Sequence, residues 1–255
     1  MKSLFIEQAN AQLRYHDLAG VGTPCIFIHG LGCAASCDYP QVACGPALAG
    51  RRMLLVDLLG SGFSDRPDGF SYSIRDQAQT IVALIKHIGV GAVDIFGHSM
   101  GGAIAIKAAR LLGDQVQHLV LSEPNLDAGG GYYSRKIAEM PEADYVSRGH
   151  NDLAEASRLD GNGIWAASLL ASAPIAVHRG AVSLVEGGNP GWREMLYAMP
   201  FPKIVIFGSQ SLPDKDTEEL PSNGVHVGVV PDAGHMMAWE NPSGLAHAIR
   251  EATLA

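Results

Sequence analysis

The stretch Val93-Asp94-Ile95-Phe96-Gly97-His98-Ser99-Met100-Gly101-Gly102 decides how this chain is read. An apolar run ends abruptly in Gly-His-Ser-Met-Gly. An Ala/Ile-rich helical pattern, Met100–Leu112, begins at once and stops at Gly113. This is a G-x-S-x-G nucleophile elbow in its strand–turn–helix setting. A serine on so tight a turn takes strained backbone angles, and Gly97 and Gly101 bring no Cβ to clash there. The helix behind it presents unpaired N–H groups and a partial positive charge to developing negative charge. Ser99 is the candidate nucleophile; a small-residue turn with an incidental serine is the plainer alternative and fits this context poorly.

Working outward, short continuous apolar runs mark strands buried on both faces. They fall at Cys25–Ile28, Met53–Val56, Val93–Phe96, His118–Leu121, Ile204–Phe207 and Val225–Val230. Ahead of them, Ser3–Asn10 and Ala11–Ala19 alternate apolar and polar residues as an antiparallel hairpin does. Helical patterns lie between the strands. Ser73-Ile74-Arg75-Asp76 opens one that Gly89 ends, and Asn241-Pro242 opens the last. This alternation predicts an α/β fold with a parallel sheet covered on both sides.

One region breaks the pattern. From Asn125 to about Pro200 there are only helical pieces: Ser134–Met140, Pro141–Arg158, Gly163–Ala171, Pro174–Val185 and Pro190–Ala198. They predict a helical lid, residues 125–200, inserted within a single domain of residues 1–255. Its Tyr132, Tyr133, Tyr145, Trp165, Trp192, Met195, Tyr197 and Met199 are available to line an apolar pocket, although ordinary packing accounts for each singly.

Composition narrows the function. The 255 residues are 47% hydrophobic and 17% charged, as a compact globule requires, and the net charge of −8 argues against nucleic-acid or polybasic membrane binding. No apolar run reaches the roughly 18 residues of a membrane helix, and Glu7 comes too early for a signal-peptide core. A cytoplasmic protein is the expectation. Cys25, Cys33, Cys37 and Cys44 crowd one stretch without C-x-x-C spacing, so free thiols acting as small hydrophobes are expected rather than disulfides or zinc ligands.

A serine hydroxyl is a poor nucleophile until a base takes its proton, and the usual base is a histidine held by a carboxylate. Of ten histidines, His235 in Pro231-Asp232-Ala233-Gly234-His235 follows the last strand and precedes the last helix. That places it on a loop at the carboxyl edge of the sheet, where Ser99 also sits. His98 neighbours Ser99 in sequence but is expected to point away from it. Solvated or core roles suffice for His16, His87, His118, His150, His178, His226 and His247. The H-G-x-G run His29-Gly30-Leu31-Gly32 follows an early strand. The backbone N–H groups of Leu31 and Met100 are the candidate oxyanion donors, each worth about 3 kcal/mol.

His29-Gly30-Leu31-Gly32, Asp57-Leu58-Leu59-Gly60-Ser61-Gly62-Phe63-Ser64, Gly97-His98-Ser99-Met100-Gly101 and Gly234-His235 fall in the order and spacing of the α/β-hydrolase superfamily, which the chain resembles over nearly its whole length. The resemblance implies an eight-stranded, mostly parallel sheet flanked by helices, with the lid between strands 6 and 7. It also implies a nucleophile–acid–histidine triad and no cofactor. The D-x-x-G-x-G-x-S segment lacks G-x-G-x-x-G and reads as a tight structural loop, not a dinucleotide site.

The triad acid departs from the common family pattern, an Asp shortly after the seventh strand. Here Phe207-Gly208-Ser209-Gln210-Ser211 puts a serine at that place. Two carboxylates can substitute: Glu123, at the end of the sixth strand, where zearalenone-type lactonases and certain dehalogenases carry theirs, and Asp214, three residues along the loop. Glu123 is preferred because a strand end fixes a side chain better than a loop does. The expectation is a serine hydrolase (Ser99 nucleophile, His235 base, Glu123 acid) that cleaves a small carboxylic ester or lactone through an acyl-enzyme. A slow-turnover ligand receptor on the same fold, or a C–C bond or amide hydrolase, is the alternative. Oligomeric state is not legible.

Overall fold

The computed structural model describes residues 1–254, built on an eight-stranded sheet. The strands are β1 (Lys2–Ile6), β2 (Ala11–Leu18), β3 (Val21–Ile28), β4 (Arg51–Asp57), β5 (Val93–His98), β6 (Val116–Ser122), β7 (Lys203–Gly208) and β8 (His226–Val230), in spatial order β1-β2-β4-β3-β5-β6-β7-β8. β1 and β4 both run antiparallel to β2, and every pair from β4 to β8 is parallel. The hairpin turn is a 3-10 turn at Glu7–Ala9 closed by left-handed Asn10, so β1 ends sooner than the alternation implies.

Period-2 side-chain alternation divides each central strand between two cores. Ile26 and Ile28 of β3, with Ile95 of β5, join the core beneath α1 (Ile74–Ile88) and α2 (Met100–Leu112). Cys25, Phe27 and Phe96 face the other side. The helices start where the sequence marks them. Ser73 Oγ accepts the Asp76 N–H at 3.1 Å, and Gly89, at φ 66°, ends α1 in the left-handed region.

Between β6 and β7 lie α3 (Tyr132–Ala138), α4 (His150–Leu159), α5 (Gly163–Leu170), α6 (Pro174–Glu186) and α7 (Trp192–Tyr197). The sequence pattern reads 141–158 as one regular helix. The structure interrupts it with a π turn, Tyr145–Gly149, whose five-residue period brings the Tyr145 hydroxyl to His150 Nδ1 at 3.1 Å. Beyond β7, α8 (Asp216–Ser222) precedes β8, and α9 (Pro242–Ala252) closes the chain on the Cys25–Phe27 side. Asn241 Oδ1 caps α9 by accepting the Gly244 N–H at 2.8 Å. Among the described residues, no helix is long and apolar enough to cross a membrane.

Candidate active site

The parallel strands bring β5, β6 and the loop after β8 to one edge. At the end of β5, Ser99 takes φ 53° and ψ −118°, a conformation side chains rarely adopt. Gly97 and Gly101 make it feasible. A Cβ on Gly97 would strike the Gly101 carbonyl, and one on Gly101 would strike the carbonyls of Ile28 and His29. The elbow is tied down by its backbone: the Ser99 N–H donates to Ser122 O at 3.0 Å, and Ser99 O accepts from Gly102 at 2.9 Å and Asn125 at 3.2 Å.

Glu123 follows β6 directly, also with positive φ (38°). Its Oε1 accepts the Gly208 N–H at 3.0 Å and its Oε2 meets His235 Nδ1 at 2.7 Å. Burial alone would raise this carboxyl. Hydrogen bonds from His235, Gly208 and the Ser211 hydroxyl outweigh burial and hold it down to about 2. Glu123 is thus an anion at neutral pH, which keeps a proton on His235 Nδ1 and leaves Nε2 as an acceptor. Ser211, at the usual place of the family acid, supports the carboxylate instead of supplying one. Asp214 lines a small cavity beside Glu123 and His235, but its Oδ1 accepts the Asp216 N–H at 2.8 Å at the start of α8, and the His235 bond goes to Glu123.

Ser99, Glu123 and His235 line one cavity of about 380 Å³, together with Leu31, Asn125, Tyr133, Asn162 and Trp165. His235 and Ser99 both line it but share no hydrogen bond, as is common before a substrate is bound. His98 is not turned away from the site. Its ring lines the same cavity and lies 4.7 Å from that of His235. It is unsuited as base for another reason. Burial, with His235 adding to it, pushes its pKa down to about 3, and its Nδ1 is engaged by the Ser122 hydroxyl at 2.9 Å.

The candidate oxyanion loop is well defined. Leu58 donates its N–H to His29 Nε2 at 3.1 Å, so His29 carries its proton on Nδ1 and donates to Gly30 O at 2.8 Å. Cys33 N–H donates to the same oxygen at 3.3 Å. Because the peptide is planar, fixing the Gly30 carbonyl fixes the direction of the Leu31 N–H opposite it. The Met100 N–H belongs to the first turn of α2, which the helix leaves unpaired.

The insertion's aromatic side chains divide by role. Tyr132, Tyr133 and Trp165 reach the cavity, whereas Tyr145, Trp192, Met195 and Met199 are buried in cores. Tyr197 instead bonds Arg193 and Glu219. The Asp57 loop is structural: its carboxylate accepts from Ser36 N at 2.9 Å, Ser36 Oγ at 2.8 Å and Phe63 N at 3.0 Å. All four cysteines are free, but only Cys25 and Cys33 are buried as small hydrophobes; Cys37 and Cys44 are exposed. Among the described residues, no group of three His, Cys, Asp or Glu side chains is placed to hold a metal.

The model of the alpha/beta hydrolase family matches residues 25–248. The chain belongs to this family. Among curated relatives of this α/β hydrolase, lipase LipV of Mycobacterium tuberculosis is 34% identical over 143 residues, covering 56% of this chain and 52% of that protein. A 2-hydroxymuconate semialdehyde hydrolase of Pseudomonas putida is 32% identical over 120 residues, covering 44% and 40%. The matched segments thus span 52% and 40% of these relatives' own length, short of two thirds in both. Among solved structures, an esterase from Exiguobacterium antarcticum superimposes with TM-score 0.83 at 17% identity, covering 99% of each chain. An enol-lactonase from Burkholderia xenovorans gives 0.81 at 17% identity, covering 100% of each. At such identities these two establish the fold alone.

Proposed function

We propose that this α/β hydrolase cleaves an uncharged carboxylic ester or lactone through an acyl-enzyme on Ser99. The observation that carries the reading is the 2.7 Å hydrogen bond from His235 Nδ1 to an anionic Glu123, in a cavity that also holds the strained serine. His235 Nε2 takes the Ser99 proton as Oγ attacks the carbonyl carbon, and Glu123 stabilises the imidazolium that forms. The N–H groups of Leu31 and Met100 meet the carbonyl oxygen as it becomes anionic. Collapse breaks the bond to the alkoxy oxygen, which leaves with the proton from His235. Water, deprotonated by His235, then attacks the acyl carbon and frees the acid and Ser99. In a lactone the alcohol and the acid leave as one molecule.

The cavity wall favours this substrate class over an acidic one. A relative in Pseudomonas putida is named a 2-hydroxy-6-oxo-2,4-heptadienoate hydrolase, whose substrate bears a carboxylate. A buried carboxylate needs a cation beside it. The residues lining this cavity include no Lys or Arg, and Glu123 adds a negative charge.

A fluorophosphonate probe followed by intact and peptide mass spectrometry tests the proposal. The expected result is one adduct, on Ser99, with p-nitrophenyl butyrate turnover lost in Ser99→Ala. Ligand retention without turnover by the wild-type protein would move the reading to a binding protein.

A further inference from the structure

The insertion does more than cover the cavity, because it also grips the oxyanion loop. Trp165, on α5, is 5% exposed and donates its indole N–H to the Leu31 carbonyl at 3.1 Å. One turn along α5, Leu169 closes over Gly32, where a Cβ would come within 2.7 Å of Leu169 Cδ1 and 3.4 Å of the Trp165 indole nitrogen. Gly32 sits at φ 67°. Cys33, the next residue, is buried in the insertion's own core with Trp165, Leu169 and Ile137. Leu31 therefore has both of its flanking peptides held. His29 and the Cys33 N–H hold the Gly30 carbonyl, and Trp165 holds the Leu31 carbonyl from the insertion. The same indole ring forms cavity wall and packs on Tyr133, with centroids 4.5 Å apart and planes tilted by 36°.

Resting on the acyl-transfer reading above, we propose that Trp165 is a positioning residue that couples the acyl pocket to the oxyanion hole. Its ring meets the acyl group, and its N–H sets the orientation of the Leu31 peptides. A substrate whose acyl group packs on the ring thereby steadies the donor that its own carbonyl oxygen needs.

Trp165→Phe keeps an aromatic wall and removes the N–H. With p-nitrophenyl butyrate, kcat falls about 10- to 100-fold while KM and the melting temperature stay close to wild type. The rate of Ser99 labelling by a fluorophosphonate falls in parallel, because that reaction places an anionic oxygen in the same hole. A Trp165→Phe enzyme with wild-type kcat and labelling rate overturns the proposal, as does one whose whole loss lies in KM. The wild-type protein supplies a second readout. Its Trp165 indole N–H resonance, assigned against Trp192→Phe and Trp239→Phe, is slow to exchange and shifts when Ser99 is labelled. An indole proton that exchanges freely and ignores the label overturns the proposal. Loss of Ser99 labelling in the wild type would instead contradict the acyl-transfer reading itself.

Discussion

Two carboxylate–histidine pairs stand at opposite edges of the sheet, each at 2.7 Å: Glu123 with His235 at the carboxyl edge, and Asp94 with His118 at the amino edge. Their surroundings separate them. Asp94 also meets the Arg51 guanidinium, so it ties β4, β5 and β6 together, and Arg51 reaches on to Thr253 at 2.7 Å. Burial pushes the Asp94 carboxyl up against the pull of His118 and Arg51. Glu123 has a backbone N–H and a hydroxyl as further partners and is held down to about 2. A carboxylate prepares a histidine for catalysis only where the other ring nitrogen is delivered to a nucleophile and a place for its product charge. The carboxyl edge has the strained Ser99 and the start of α2; the amino edge has an ion-pair staple.

Substitutions at the two histidines should separate the pairs most strongly. His235→Ala is expected to lose about 10⁴-fold or more in kcat/KM for p-nitrophenyl butyrate, whereas His118→Ala keeps wild-type turnover per folded molecule. Equal losses would break the distinction. Asp94→Asn should act on stability instead, lowering the unfolding free energy in urea by about 3 kcal/mol and leaving kcat unchanged. A variant as stable as wild type would show the staple to be idle.

The smallest effect is a slope with pH. Glu123 is held near 2 against an ordinary value of 4.5, so between those values it binds fewer protons folded than unfolded. Its contribution to stability is complete above the ordinary value and is lost as pH falls through the folded one. Urea-unfolding stability of the wild type should therefore fall more steeply than that of Glu123→Gln between about pH 5 and pH 3. Parallel slopes would contradict the low Glu123 value.

Much of this was legible in the chain because it rests on local rules. The G-x-S-x-G turn about Ser99, the apolar runs of β3 to β8 and the caps at Ser73 and Asn241 are each written in neighbouring residues, although Gly101 also has to clear the distant Ile28 and His29 carbonyls. The end of β6 brought Glu123 into view for the same reason. Features set by packing between distant elements were not legible. His98 was expected to face away, yet its rotamer is set by Ser122 on β6 and places it beside His235. Which of eight insertion aromatics and methionines reach the cavity depends on how α3 and α5 lie over the sheet, not on their spacing. The bond between Trp165 and Leu31 joins residues 134 positions apart, and nothing in the sequence of its helix set Trp165 apart from the other aromatics of the insertion. The π turn at Tyr145 left no signal in the apolar periodicity.

The most direct test of the account is the kcat of Glu123→Gln beside that of Asp214→Asn, on p-nitrophenyl butyrate at neutral pH. The expected result is a loss of about 10⁴-fold for Glu123→Gln, with folding retained, and turnover within about twofold of wild type for Asp214→Asn, whose carboxylate accepts the Asp216 N–H. Near-wild-type turnover by Glu123→Gln, with collapse in Asp214→Asn, would contradict it.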